Sequence, residues 1–199
     1  MSRATTSCFA AAALTTAAAV AAVLAVSPGV SSAHDGEHHA ESGGATAGGP
    51  TASASGHARG HFIAQLRKEL RPYLDVSAAL ADGFLPGGEC AASPAGGMGI
   101  HYIAPARMAK PLDVRKPQVL LYGPTAGGGL ELLGAEYLAW DADQDLGTDG
   151  DRPVLLGQPF DGPMPGHEPG MPIHYDLHVW THKANPAGVF APWNPKVSC

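Results

Sequence analysis

Two histidines sit in near copies of one short pattern. Met98-Gly99-Ile100-His101-Tyr102 recurs as Met171-Pro172-Ile173-His174-Tyr175, and the second copy runs on through Asp176-Leu177-His178-Val179-Trp180. Imidazole is a metal ligand, a general base and a proton carrier near neutral pH. Both segments alternate polar and apolar residues and are rich in β-formers, so both read as strands. Successive strand side chains point to opposite faces. Each copy therefore sends its His one way and its Ile and Tyr the other, and the two histidines can meet on one sheet face.

Strand geometry limits what they can hold. Residues i and i+2 are about 6.6 Å apart on one face and i and i+4 about 13 Å. His174 and His178 share a face but are too far apart for one ion on a straight strand. The workable chelates are His174 with Asp176, or Asp176 with His178. His101 would come in from the repeat strand and Glu136 from a third. Two or three histidines with a carboxylate suit Zn²⁺, Fe²⁺, Mn²⁺ or Cu²⁺. His167-Glu168 lies in the Pro-rich loop 157–172 just before the His174 strand, where it can carry a further ligand or an acid/base.

Met-x-x-His occurs three times, as Met98/His101, Met164/His167 and Met171/His174. Thioether with imidazole favours copper. On a strand, however, residues three apart point to opposite faces, so the spacing predicts no direct Met–His chelate in two of the three cases, and the methionines equally read as core behind each His. Asp141-Ala142-Asp143-Gln144-Asp145 resembles the start of a calcium loop. Leu146 then stands where the turn glycine is required and Arg152 where the last carboxylate belongs. No nucleophile elbow, phosphate loop or dinucleotide fingerprint is present.

The elements that must position these residues follow from composition. Arg3, the apolar run from Phe9 to Val26 and the small residues Ser31-Ser32-Ala33 read as a secretory signal peptide over 1–33. Its removal takes one positive charge from a chain of formal net charge −6. The resulting acidity argues against nucleic acid as a partner, and no integral span is expected after cleavage. Residues 34–60 are Gly, Ala, Ser and His with little to bury and read as a flexible tail, whose His34, His38 and His39 can collect metal ions weakly. Residues 61–199 are the size of one domain. Export makes a Cys90–Cys199 disulfide the default.

Phe62, Ile63, Leu66 and Leu70 fall at helical spacing, predicting a helix over 61–71 that Pro72 interrupts. Asp75 caps a second helix through Ala81, with Gly83 as its stop. Beyond Gly83, short apolar runs between Gly and Pro predict strands over 99–103, 118–122, 130–140, 154–156 and 173–182, with a hairpin turn at Gly127-Gly128-Gly129. The expected fold is α+β: N-terminal helices on a curled, mostly antiparallel sheet, with 185–199 as a Pro/Trp/Phe loop held over it by Cys199.

The stretch from Tyr73 to Cys199 resembles a family of uncharacterised exported bacterial proteins. The resemblance rests on Met98-Gly99-Ile100-His101-Tyr102, Leu177-His178-Val179-Trp180, Asn185-Pro186-Ala187-Gly188 and Trp193-Asn194-Pro195-Lys196-Val197-Ser198-Cys199. It implies secretion and a shared domain, and no reaction. The sequence thus points to a secreted protein with a His-centred site, His101, His174, Asp176 and His178 with Glu136 and His167, for a transition metal such as Zn, Cu or Fe, or for a small polar ligand. The competing expectation is a non-catalytic extracytoplasmic structural or interaction protein.

Overall fold

The computed structural model describes residues 51–199. The signal-peptide reading of 1–33 and most of the 34–60 tail lie outside the described residues. Helix α1 (Thr51–Glu69) begins ten residues before the expected His61. Ala52, Ala54 and Ala58 supply helix propensity where no apolar stripe marks the chain. The later turns of α1 bury Phe62 and Leu66, and Leu70 just beyond its end also enters the core. Pro72 has no N–H to continue the helix, and a 3-10 turn follows at Arg71–Leu74. Helix α2 (Val76–Ala81) opens with the Asp75 side chain accepting from Ser77 N. Gly83 follows it at φ +83°, as its stop position requires.

Strands β1 (Leu85–Pro86), β2 (Ala91–Ser93) and β3 (Gly96–Ile103) come next, then a single helical turn α3 (Pro105–Met108). Strands β4 (Val119–Pro124) and β5 (Leu130–Trp140) form the expected hairpin. A small β6–β7 ribbon (Val154–Leu155, Gln158–Pro159) precedes β8 (Asp161–Met164) and β9 (His174–Val179). The main sheet has seven strands in the order β1-β3-β4-β5-β9-β8, with β2 also on β3, and every pairing between its strands is antiparallel. The α+β class is as expected. The sheet is open and not strongly curled, contrary to the expectation. Its edge strands β1 and β8 have two and four residues, too few to carry the curl towards closure.

The two faces differ in kind. Tyr102, Leu120, Tyr122, Ala135, Tyr137, Tyr175, Leu177 and Val179 form one face and pack with Phe62 and Leu66 of α1 and with Leu70 just after it. Their buried hydroxyls are satisfied: Tyr122 donates to the Tyr73 carbonyl at 2.6 Å and Tyr137 to the Val114 carbonyl at 2.5 Å. The other face carries Val119, Leu121, Leu133 and Trp180, covered by Val197.

The C-terminal segment is strapped across this second face. Trp180 Nε1 donates to the Ala191 carbonyl, Gly97 and Asn194 exchange backbone hydrogen bonds, and Cys199 is disulfide-bonded to Cys90. Gly96, at φ +126°, lets the strap approach: a Cβ there would meet the Asn194 carbonyl oxygen at 2.2 Å.

Candidate metal centre

Register assigns the site. Strand β3 pairs His101 with Leu121, β4 pairs Val119 with Glu136, and β5 pairs Glu136 with His178 and Leu138 with Asp176. Cross-strand partners share a face. His101, Glu136, Asp176, His178 and His174 therefore all project on the face away from α1. Period-two alternation does this on β9, where His174, Asp176 and His178 take one face while Tyr175, Leu177 and Val179 go into the core.

Three of these side chains converge. His101 Nε2 lies 3.2 Å from Glu136 Oε2, and His178 Nε2 lies 3.9 Å from the same oxygen. One donor atom from each of His101, Glu136 and His178 lies within 4.8 Å of the other two. Around a tetrahedral ion with bonds near 2.0–2.1 Å, donor atoms sit about 3.3 Å apart. The group is thus at most about 1.5 Å more open than a closed centre, a gap that side-chain rotation spans. Asp176 lies behind it, its Oδ1 at 3.6 Å from His178 Nδ1. A carboxylate on one imidazole nitrogen with the other facing the ligand cluster is the arrangement that orients a metal-binding histidine.

Burial sharpens the site. His178 is fully buried and Glu136 is 4% exposed. Among the described residues, seven buried side-chain nitrogen or oxygen atoms have no hydrogen-bond partner; five are Glu136 Oε2, Asp176 Oδ1, both ring nitrogens of His178 and His174 Nε2. Each such atom costs about 1–3 kcal/mol. Four of the five belong to Glu136, Asp176 and His178, and gathering them is unfavourable unless something bound there offsets the cost.

The electrostatics agree. Burial raises the Glu136 carboxyl, but the His101 and His178 imidazoles outweigh it and hold the group well below the usual carboxylate range. Burial lowers His178, and the Glu136 and Asp176 carboxylates more than reverse that. Burial and opposite charge thus act together on the Glu136–His178 pair, and the attraction outweighs the burial for both partners. Asp161, the cross-strand partner of Asp176, has its carboxyl raised by burial and then by the Asp176 charge. Sequence reading missed Asp161, because β8 is too short and too rich in Gly and Pro to read as a strand.

A cavity of about 530 Å³ opens from the cluster. His101, Glu136, Asp161, His167, His174 and Asp176 line its polar part. Met98, Ile103, Val119, Leu138 and Trp193 line its apolar part. All six residues singled out from the sequence are at or beside this cavity, yet they do not form one centre. His101, Glu136 and His178 come together with Asp176 behind them; of the two chelates expected for Asp176, it is His178 and not His174 that it stands beside. His174 instead meets His167, with ring centroids 5.0 Å apart.

In all three Met-x-x-His pairs the methionine and its histidine line the same cavity, where regular strand spacing would put them on opposite faces. On β3 the alternation breaks at Gly99, at φ +95°, where the β2–β3 register shifts. The other two pairs lie in or next to the 165–173 loop, where strand alternation does not apply. The acidic loop after Asp141 closes on itself, with Thr148 Oγ1 donating to Asp143 and Ala142 N to Asp151.

No family model, curated protein or solved structure matches the chain.

Proposed function

We propose that this chain is an exported protein that binds a divalent transition-metal ion through His101, Glu136 and His178. The observation that carries the reading is the convergence of three donor atoms within 4.8 Å at a buried, hydrogen-bond-deficient place beside a cavity. Two imidazoles and a carboxylate are a donor set for Zn²⁺ and Fe²⁺. An ion held by three protein ligands keeps a position open for water or a small ligand, and the cavity supplies the space for it. The apolar part of the lining, Met98, Ile103, Val119, Leu138 and Trp193, suits a ligand with an apolar body and one coordinating polar group. Export is supported by the signal-peptide pattern over 1–33 and by the Cys90–Cys199 disulfide. The resemblance to exported bacterial proteins agrees with that reading. Among the described residues no helix is long and apolar enough to cross a membrane.

The test is metal analysis of protein purified without a polyhistidine tag, followed by titration of chelator-stripped protein with Zn²⁺ and Co²⁺. About one equivalent should bind, and His178→Gln and Glu136→Gln should each lower the affinity at least tenfold. Less than about a tenth of an equivalent, or wild-type affinity in both variants, would overturn the reading.

A further inference from the structure

The other end of the cavity holds a different set of donors. His174 is fully buried. Its Nδ1 lies 3.2 Å from the Pro172 carbonyl oxygen, the geometry of a donated hydrogen bond, which leaves the lone pair on Nε2. That nitrogen is buried and has no hydrogen-bond partner. Burial lowers the pKa of the ring, which favours the neutral form that ligates metals. The exposed His167 ring stands nearly perpendicular to it, at 77°. Met164 is the cross-strand partner of His174, on the same face. Met171 lines the same cavity.

The loop between Met164 and His174 holds these residues along one wall of the cavity. Glu168-Pro169-Gly170-Met171 is a tight turn: Met171 N donates to the Glu168 carbonyl at 3.0 Å, with proline second and Gly170 third at φ +81°. That is the composition and backbone of a type II turn, in which proline presets the first corner and glycine takes the left-handed one. Gly166 lets the returning strand lie against the outgoing one, since a Cβ there would meet the Met171 carbonyl oxygen at 2.1 Å. Pro165 and Pro172 stiffen the two flanks. A loop so constrained presents its side chains with little entropy left to lose on binding.

We infer that Met164, His167, Met171 and His174 form a second site, distinct from the His101–Glu136–His178 group, and that it takes a monovalent copper ion. The reason is donor softness. Thioether sulfur is a poor ligand for Zn²⁺ but a good one for Cu(I), and imidazole accepts both. The cavity thus offers a carboxylate-bearing set at one end and a sulfur-bearing set at the other. His174 and His178 are four residues apart on β9, about 13 Å along the strand, so one ion cannot serve both.

The experiment uses the full chain with ascorbate as reductant, which leaves the disulfide closed. Cu(I) is titrated anaerobically against a chromogenic chelator, with Zn²⁺ titrated in parallel. The double variant Met164→Leu/Met171→Leu conserves volume and should keep the fold. It should lose at least tenfold in Cu(I) affinity with Zn²⁺ affinity unchanged, and His167→Ala, at an exposed position, should do the same. X-ray absorption of the copper-loaded wild type should show sulfur neighbours. Wild-type Cu(I) affinity in both variants, or a copper spectrum with nitrogen and oxygen neighbours alone, would overturn the second site. So would loss of Cu(I) binding in His178→Gln instead, which would mean copper occupies the first site. Because Zn²⁺ reads only the first group, failure of one site is distinguishable from failure of the other.

Discussion

Glu136 and His178 are cross-strand partners on β5 and β9, and the carboxylate oxygen of one faces the Nε2 of the other at 3.9 Å. Neither atom has a hydrogen bond. Antiparallel pairing fixes them opposite each other, and His101 arrives on the same oxygen from two strands away. The converging geometry is thus a property of the sheet register, with no flexible loop in the first group.

Asp176 stands behind His178, its Oδ1 3.6 Å from Nδ1, where a small closure on metal binding would let it orient the ring. Partners of this kind typically contribute 10–100-fold to metal affinity. Asp176→Asn should therefore weaken Zn²⁺ or Co²⁺ binding by about that factor while leaving one equivalent bound at saturation. Titration against a competing chelator measures it. An unchanged affinity would remove Asp176 from the site.

The Cys90–Cys199 bond joins residues 109 apart in sequence. In the chain-entropy model, closing such a loop contributes about 4–5 kcal/mol. Replacing both cysteines by serine should lower Tm by roughly 10–20 °C at this size. The strap carrying Trp193 should loosen first, which tryptophan fluorescence would report below the main transition.

Asp75 caps α2, and its hydrogen bonds to Ser77 hold its carboxyl below the ordinary aspartate range. A depressed carboxylate stabilises the fold fully above its unfolded pKa, and that contribution fades as pH falls through the folded value. Asn caps nearly as well without titrating. The wild type should thus lose its advantage over Asp75→Asn as pH falls below about 4, the ordinary aspartate value. Urea midpoints across that range test the sign; a difference that grows on acidification would contradict it.

Gly99 sits at φ +95°, and a Cβ there would meet the Tyr122 carbonyl oxygen at 2.5 Å. Gly99→Ala should cost more than about 2 kcal/mol, from the left-handed backbone and the clash together. It should also disturb Zn²⁺ binding, since His101 lies two residues on. Gly127→Ala, in the exposed hairpin turn where a Cβ would meet only Thr125 Oγ1 at 4.0 Å, is the control and should change neither by much.

The alternation of β9 was legible because period two needs only local sequence. So were the β4–β5 hairpin and the Asp75 cap, whose signals span a few residues. What joins His178 to Glu136 was not legible, because it depends on the register between strands about 40 residues apart in the chain. The shared cavity of Met98 and His101 was hidden by the backbone break at Gly99, which spacing rules treat as a regular strand. The early turns of α1 carry no apolar stripe, so nothing in hydrophobic periodicity marked their start. His167 reached His174 through a turn whose Pro-Gly signature is visible in the sequence but whose direction is not.

The strict alternation of β9 has an evolutionary consequence. Removing or adding one residue between His174 and His178 would rotate half the strand by 180°, sending an imidazole into the tyrosine-lined core and a leucine or tyrosine into the cavity. Single-codon insertions and deletions are therefore closed to this segment, and length can change there only in steps of two. The edge loops are under no such parity rule, so diversification of what the protein recognises is channelled into the loops that rim the cavity.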